Sequence, residues 1–534
     1  MSTTLRRSCL LLLLGAAPLQ AQADPSQNQL TGAGRSTDWL YATHDYSGQR
    51  YADLRQITPD NAGSLRLVCV YETQDSGGFQ PYPLESGGIL YATSHRMTVA
   101  IDAADCHELW RQPVTIPKEA DTAVAVGFSG ALAHRGAALK DGKLVRGTPD
   151  GRLIALDAMS GSLIWERQVA DPRRGELLSM PPLAFENLVV LGPGVSEAGV
   201  RGWVAAFSLT DGSPLWKFNT VPDSGAPGGE TWPNPGSRER GGGAVWTPLV
   251  LDPDEGTLFI GVGNPAPDLA AYMRPGENLF TNSLVALDVR TGALRWYYHT
   301  GIHDAHDWDL THPGPLFTLG SGGQPVIAPA GKDGLLRIID RQTHRQMSEV
   351  AVTTRHNGEL PLTTDTLRVC PGLLGGVQWN GPAFNPGTGL LYVPAVDWCW
   401  SYAARDSTQY QLGDDFGGTL VPDSLDQSTG WLTAVDPATA AVRWRYHSNA
   451  PMLAAVTTTS GGVLFTGEVG GNFLVMDART GTVLSRLPTG GLLAGGVITY
   501  AVGPKQYVAV TSGSLGGFWG RPRVAAKIFI YALP

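Results

Sequence analysis

An all-β fold built as a propeller is what the sequence predicts, and three features point to it. A short unit recurs in which an apolar strand ends in Asp, the chain turns through a tetrapeptide that usually contains Gly, and a second strand resumes at Trp. It reads AIDAADCHELW (100–110), ALDAMSGSLIW (155–165), AFSLTDGSPLW (206–216), ALDVRTGALRW (286–296) and AVDPATAAVRW (434–444), with weaker copies at IIDRQTHRQM (338–347) and VMDARTGTVLS (475–485). Composition agrees: 67 Gly and 38 Pro with only 16% charged residues suit short strands joined by many turns better than long solvated helices. A late apolar run, Ala525 to Leu533, offers a strand that pairs with an early one, closing a ring and hiding its sheet edges.

Each repeat has the chemistry of a hairpin. β-Branched and aromatic residues flank a turn in which Asp accepts from backbone N–H groups and Gly takes positive φ. A lone hairpin cannot cover both its faces, so successive units must stack on one another. Their irregular spacing, with Gly- and Pro-rich inserts at 219–245 and 401–430, favours a propeller over a regular solenoid. The repeated tryptophans are read as structural, holding one unit to the next. Disorder is excluded by a 43% hydrophobic content that includes 15 Trp.

The first residues combine Arg6-Arg7, an apolar run from Cys9 to Pro18, and Ala21-Gln22-Ala23 before Asp24, the layout of a cleavable signal peptide over residues 1–23. Residues 24–534 then form one domain. Only Arg6 and Arg7 are charged within the leader, so the net charge moves from −9 to −11 on cleavage, which argues against a nucleic-acid partner. No later apolar stretch reaches the roughly 18 residues of a membrane span, and an extracytoplasmic protein is expected. Cys69, Cys106, Cys370 and Cys399 remain in the processed chain, enough for two disulfides with three pairings open. A Cys-x-x-Cys-His segment for covalent haem is absent.

Three longer segments carry a family resemblance. DYSGQRYADLRQITPDNAGSLRLVCVYET (45–73), GGVQWNGPAFNPGTGLLYVP (375–394) and KQYVAVTSG (505–513) resemble signatures of the dehydrogenases that depend on pyrroloquinoline quinone (PQQ) and act on alcohols and sugars. The resemblance spans nearly the whole processed chain. It implies an eight-bladed propeller with tryptophan-docking repeats, and a quinone and a metal ion near its axis. VSEAGVRG (195–202), GVGNPAP (261–267) and HDAHDWD (303–309) resemble the family's metal-binding and catalytic segments, and carry over as Glu197, Asn264 and Asp307. Carboxylate and amide oxygens are what a hard cation takes, calcium accepting roughly six to eight of them. Asp309 stands two residues beyond Asp307, where a second aspartate accompanies lanthanide use in part of the family; calcium-dependent relatives share the Asp-x-Asp pattern, and calcium is the expected ion with a lanthanide as the alternative. His306 replaces the family's usual Trp.

For the quinone, the resemblance implies contacts from Arg135 (to a carboxylate), Thr148, Trp246 (stacked on the flat ring), Lys332 (to the reactive oxygens), Gln378 and Gln80. Two adjacent cysteines common in alcohol-oxidising members are missing from AVGFSGALAHRG (125–136), where Ser129 and Gly130 stand instead, and Leu453 replaces a Trp of methanol-oxidising members. The resemblance also implies a Cys370–Cys399 bridge, leaving Cys69 with Cys106. The reaction expected is oxidation of a primary or secondary alcohol, with the metal as Lewis acid and Asp307 as base. A soluble cytochrome c is the expected electron acceptor, the periplasm the expected compartment, and homodimerisation is left open. A sugar or polyol dehydrogenase and a non-catalytic propeller scaffold are the rival readings.

Overall fold

The computed structural model describes residues 25–117, 134–301, 303–320, 322–409, 417–516, 519 and 523–534. The expected leader and the Ser129-Gly130 substitution lie outside the described residues. Helix is confined, among the described residues, to short turns such as Gln27–Thr31, and nearly everything else that is regular is strand. No described helix is long and apolar enough to cross a membrane.

Most of the described strands fall into successive antiparallel sheets; outside them, Phe79–Tyr82 pairs parallel with His134–Gly136, and Leu367–Val369, Trp400–Ala404 and Gly418–Pro422 form a three-stranded sheet. Six four-stranded sheets follow one another over 84–113, 138–168, 183–219, 250–299, 316–351 and 383–448. A seventh runs over 457–488 and takes Tyr51–Ala52 as an added parallel strand, and an eighth runs over 497–532. That last sheet is finished by an early segment: Arg66–Glu72 pairs antiparallel with Lys527–Ala532, with Tyr71 opposite Ile528. The late apolar run therefore meets the partner expected of it.

Burial follows strand position. Second and third strands such as Thr257–Gly261 and Ser283–Asp288 are almost wholly buried, whereas fourth strands such as Gln346–Ala351 alternate half-buried with exposed. An outer strand that shows charged side chains to water resists pairing with another molecule.

The repeated turns show why the motif recurs. Asp157 Oδ1 accepts from the N–H groups of Met159 and Ser160 at 3.1 and 2.8 Å, and Asp288 and Asp477 do the same for the two residues at the same offsets. Each such turn receives the tryptophan of the preceding sheet. Trp110 Nε1 donates to Ala158 O at 3.0 Å, Trp165 to Leu209 O at 3.2 Å, Trp216 to Val289 O at 3.0 Å and Trp444 to Ala478 O at 3.2 Å. Gly161 is required at the first of these turns, because its φ is +72° and a Cβ there would lie 2.5 Å from Trp110. Burying a ring of this size contributes on the order of 2–3 kcal/mol, which ties neighbouring sheets edge to edge.

Two disulfides form, Cys69–Cys106 and Cys370–Cys399. The first pins the ring-completing strand Arg66–Glu72 to the turn that follows Met97–Asp102.

Candidate active site and metal centre

In a four-stranded antiparallel sheet, the link from second to third strand and the exit toward the next sheet lie at the same end. Most of the candidate residues come from these two kinds of loop, and Gln80 and Arg135 from two short strands, Phe79–Tyr82 and His134–Gly136, that pair in parallel between the sheets. Glu197, Asn264, Thr148 and Lys332 sit between second and third strands; Gln80, Arg135, Trp246, Asp307, Asp309 and Gln378 sit between sheets. One end of the molecule therefore collects residues scattered over some three hundred positions of sequence.

A buried cluster lies at its centre. One oxygen each from Glu197, Asp268 and Asp307 fall within 4.8 Å of one another, and all three residues are buried. Asn264 is fully buried; its Nδ2 donates to Asp268 Oδ1 at 2.8 Å and to Pro265 O at 3.3 Å, while its Oδ1 accepts no hydrogen bond. Lys332 Nζ donates to both oxygens of Asp307, at 3.0 and 3.1 Å, and pairs with Asp309 Oδ2 at 2.7 Å. The other oxygen of Asp309 accepts from Asn264 N at 2.7 Å. The sequence-derived ligands thus gather in one place, with Asp309 held by Lys332 and the Asn264 backbone.

The electrostatics are those of crowded like charge. Burial pushes the Asp307 carboxyl well above its ordinary range, and Glu197, Asp268 and Asp309 push it further, against the pull of Lys332. Burial likewise raises Glu197. Lys332 is held well above its usual value, because the surrounding carboxylates outweigh the effect of its burial. Asp307 also has φ +61°, a left-handed conformation that a non-glycine residue adopts at some strain. Arg274 braces the arrangement: it donates to Pro267 O at 3.1 Å, to Asp268 O at 2.7 Å and to Asp304 O, so it joins the Asn264–Asp268 loop to the Asp307 loop. Buried carboxylates outnumbering the ammonium, together with an amide oxygen lacking a donor, form an all-oxygen set suited to a hard cation.

Next to this lies an aromatic wall. The Arg135 guanidinium sits 4.8 Å from the Trp246 ring centre and 5.0 Å from that of Trp379, which are 6.4 Å apart. Burial lowers the Arg135 pKa to about 10, while Tyr82 and Asp309 pull it back up. Its Nε makes no hydrogen bond among the described residues, which leaves a donor for an anionic group. Gln80 Oε1 is buried without a donor as well, and Gln378 Nε2 donates to Gly375 O at 2.7 Å. The Thr148 hydroxyl donates to Asp150 Oδ1 at 2.5 Å and lies 3.1 Å from Arg152 O, within its own turn. His306, in place of the family Trp, stacks on Trp308 at 4.6 Å and keeps the local packing filled. Leu453 is buried.

Sequence reading missed Asp268, Trp379 and Tyr402. Tyr402 is fully buried, its hydroxyl makes no hydrogen bond, and both burial and Asp307 raise its pKa. Only Asp268 carried a signal, a carboxylate four residues beyond Asn264 in GNPAPD. A cavity of about 880 Å³ opens beside this loop, lined among others by His303, Asp304, His306, Trp308, Arg355 and Glu359; it borders Asp309 but not Asp307.

Comparison with known proteins agrees with this geometry. Residues 39–361 match the family model described as PQQ glucose/ethanol/alcohol dehydrogenase, β-propeller domain. The dehydrogenase subunit of a quinone-linked alcohol dehydrogenase from Gluconacetobacter polyoxogenes is 32% identical over 96% of this chain and 76% of its own length. Among solved structures, a quinohemoprotein alcohol dehydrogenase from Pseudomonas putida superposes with a TM-score of 0.89 at 27% identity, covering 96% of this chain and 82% of that one. A europium-containing methanol dehydrogenase superposes at 0.87 and 26% identity, over 95% of this chain and all of that one.

Proposed function

The chain belongs to the PQQ-dependent alcohol dehydrogenase family, and from that premise we propose that it oxidises a primary or secondary alcohol to a carbonyl compound in the periplasm, using PQQ and a hard metal ion. Residues 24–534 form one eight-bladed propeller whose blades are tied by tryptophan docking, after removal of residues 1–23. The observation that carries the reading is the buried set Glu197, Asn264, Asp268 and Asp307 with Lys332 across it, next to a cationic and aromatic wall. A scaffold has no use for so much unbalanced buried charge.

Glu197, Asn264 and Asp307 would hold the ion, with Asp309 as the further expected ligand beside Lys332. Trp246 supplies a flat face for the quinone, Arg135 a donor for one of its carboxylates, and Gln80 and Gln378 contacts at its rim. Thr148, whose hydroxyl donates to Asp150, is the further expected contact beside Arg135. When bound, PQQ is the two-electron acceptor for the substrate hydride and the ion is the Lewis acid. Asp307 takes the hydroxyl proton of the alcohol; burial and its carboxylate neighbours strengthen it as a base, which a bound cation would temper. Lys332 fixes the Asp307 carboxylate in one orientation. A separate acceptor would be needed to reoxidise the cofactor, and a soluble cytochrome c is the fitting class.

Dye reduction by purified full-length protein, supplied with PQQ and either calcium or lanthanum chloride, tests this against a panel of alcohols, polyols and sugars. Turnover restricted to alcohols is the expected result. Turnover of sugars alone moves the assignment to a sugar dehydrogenase, and a lack of turnover with every combination removes the enzymatic reading.

A further inference from the structure

We propose that Asp304 is a positioning residue for the reaction: it grips the peptide units on either side of Asp307 and so sets where the Asp307 carboxylate points. The inference rests on the reading of Asp307 as the base and deepens it, naming the group that holds the base in place.

Two observations carry it. The first is the pattern of bonds around Asp307. Its φ of +61° is left-handed, and a residue with a side chain keeps that conformation only where its surroundings impose it. Asp304 supplies the constraint: Oδ1 accepts from His306 N and Oδ2 from Trp308 N, both at 3.1 Å, so one carboxylate holds the residue before the base and the residue after it. The His306 ring adds a further contact, its Nδ1 lying 3.7 Å from Asp304 Oδ1. Asp304 is itself buried. Although burial opposes its charged form, His306, Arg274 and the Trp308 N–H hold its carboxyl below the usual value, which keeps both oxygens as acceptors.

The second observation is what holds Asp304. Arg274 Nη2 donates to its backbone oxygen and also to Asp268 O at 2.7 Å, while Nε donates to Pro267 O at 3.1 Å and Nη1 to Asn278 Oδ1 at 3.0 Å. Asn278 returns a bond from its Nδ2 to Arg274 O at 3.0 Å, which closes a pair that orients the guanidinium. Asp304 is thus tied to the loop that bears Asn264, and Trp308 O is tied to the end of that loop by Asn282 Nδ2. The Lys332 ammonium fixes the Asp307 side chain, and Asp304 fixes the backbone that carries it. Such placement matters, because a misplacement of about 1 Å at a reacting group can cost about 100-fold in rate.

Steady-state kinetics of the full chain loaded with PQQ and metal, together with crystal structures of the variants, test this. Asp304→Ala removes both acceptors and should lower kcat about 100-fold, and Asp304→Asn, which keeps one acceptor oxygen, about tenfold, with KM within about threefold of wild type in both. Rates are counted per bound PQQ, so a variant that is merely unstable loses sites and keeps its turnover per site. In crystals of Asp304→Ala, Asp307 should leave the left-handed region; if that variant does not fold, crystals of Asp304→Asn should show the bond to His306 N or to Trp308 N lost and the Asp307 carboxylate displaced. Wild-type kcat per site in the folded variants, or an Asp307 that keeps its positive φ and its place in Asp304→Ala, overturns the proposal and leaves Asp307 as the base. Full turnover in Asp307→Ala instead removes the base reading, and the role given to Asp304 with it.

Discussion

The tryptophan turns and the Asp307 loop are built from similar residues and reach opposite solutions. In the turns at Asp157, Asp288 and Asp477 the carboxylate accepts from N–H groups two and three residues ahead, and Trp110, Trp165, Trp216 and Trp444 each donate to a carbonyl in the next sheet. Local demands and packing demands coincide there. In the loop over 303–309, His303 and Asp307 have positive φ and several carboxylates are buried close together. Those demands conflict, and the surrounding sheets hold the conflict in place. The contrast marks where stability resides and where chemistry does.

Substitutions can sharpen that division. The largest effect is expected for Asp307→Ala, a fall in kcat of about 10²–10⁴-fold, with a metal-free melting temperature no lower than that of wild type. If turnover survives, the base is another group. Trp110→Ala should do the reverse, losing about 3–5 kcal/mol in denaturant unfolding while the specific activity of the folded fraction stays near wild type. Replacing Cys370 and Cys399 together by Ser opens a loop with a sequence separation of 29 and should reduce stability by about 3–4 kcal/mol.

A pH comparison is expected to give a smaller difference. Because the folded protein holds the Asp307 carboxyl above its ordinary value of 3.8, the stability contributed by its protonated form is complete below that value and is lost as pH rises through the raised one. Metal-free wild type should therefore lose melting temperature relative to Asp307→Asn as pH climbs from 4, and added cation should close the gap. A constant offset across that range would mean that the carboxyl ionises normally. The smallest effect belongs to the outer rim: Glu186→Gln, which breaks a half-exposed pair with Arg290 at 2.6 Å, should cost under about 1 kcal/mol, and less in high salt.

How much could be read from sequence follows the same division. The Asp–Gly–Trp turn is fixed by contacts within a few residues, so its pattern repeats visibly, and sheet after sheet followed from it. The positions of Glu197, Asn264, Asp307 and Asp309 were legible through the resemblance of three short segments. What was hidden depends on contacts between distant loops. Nothing near Asp268 shows that Arg274 will tie it toward Asp304, or that Lys332 will straddle two aspartates. Thr148 lies in the expected stretch, yet the adjacent Asp150 takes up its hydroxyl. The sequence contains that Asp but does not reveal the competition.

The pairing of Arg66–Glu72 with Lys527–Ala532 has a consequence for how the molecule is made. These partners are separated by most of the polypeptide, so the eighth sheet cannot be completed until nearly all of the chain has been synthesised. Joining such distant segments is slow, because a very long loop must be closed before the contacts compensate. During that delay both unfinished edges are open to pairing with other chains. The yield of active protein is then set by a race between self-capture and aggregation, and slower production in the cell should favour the first.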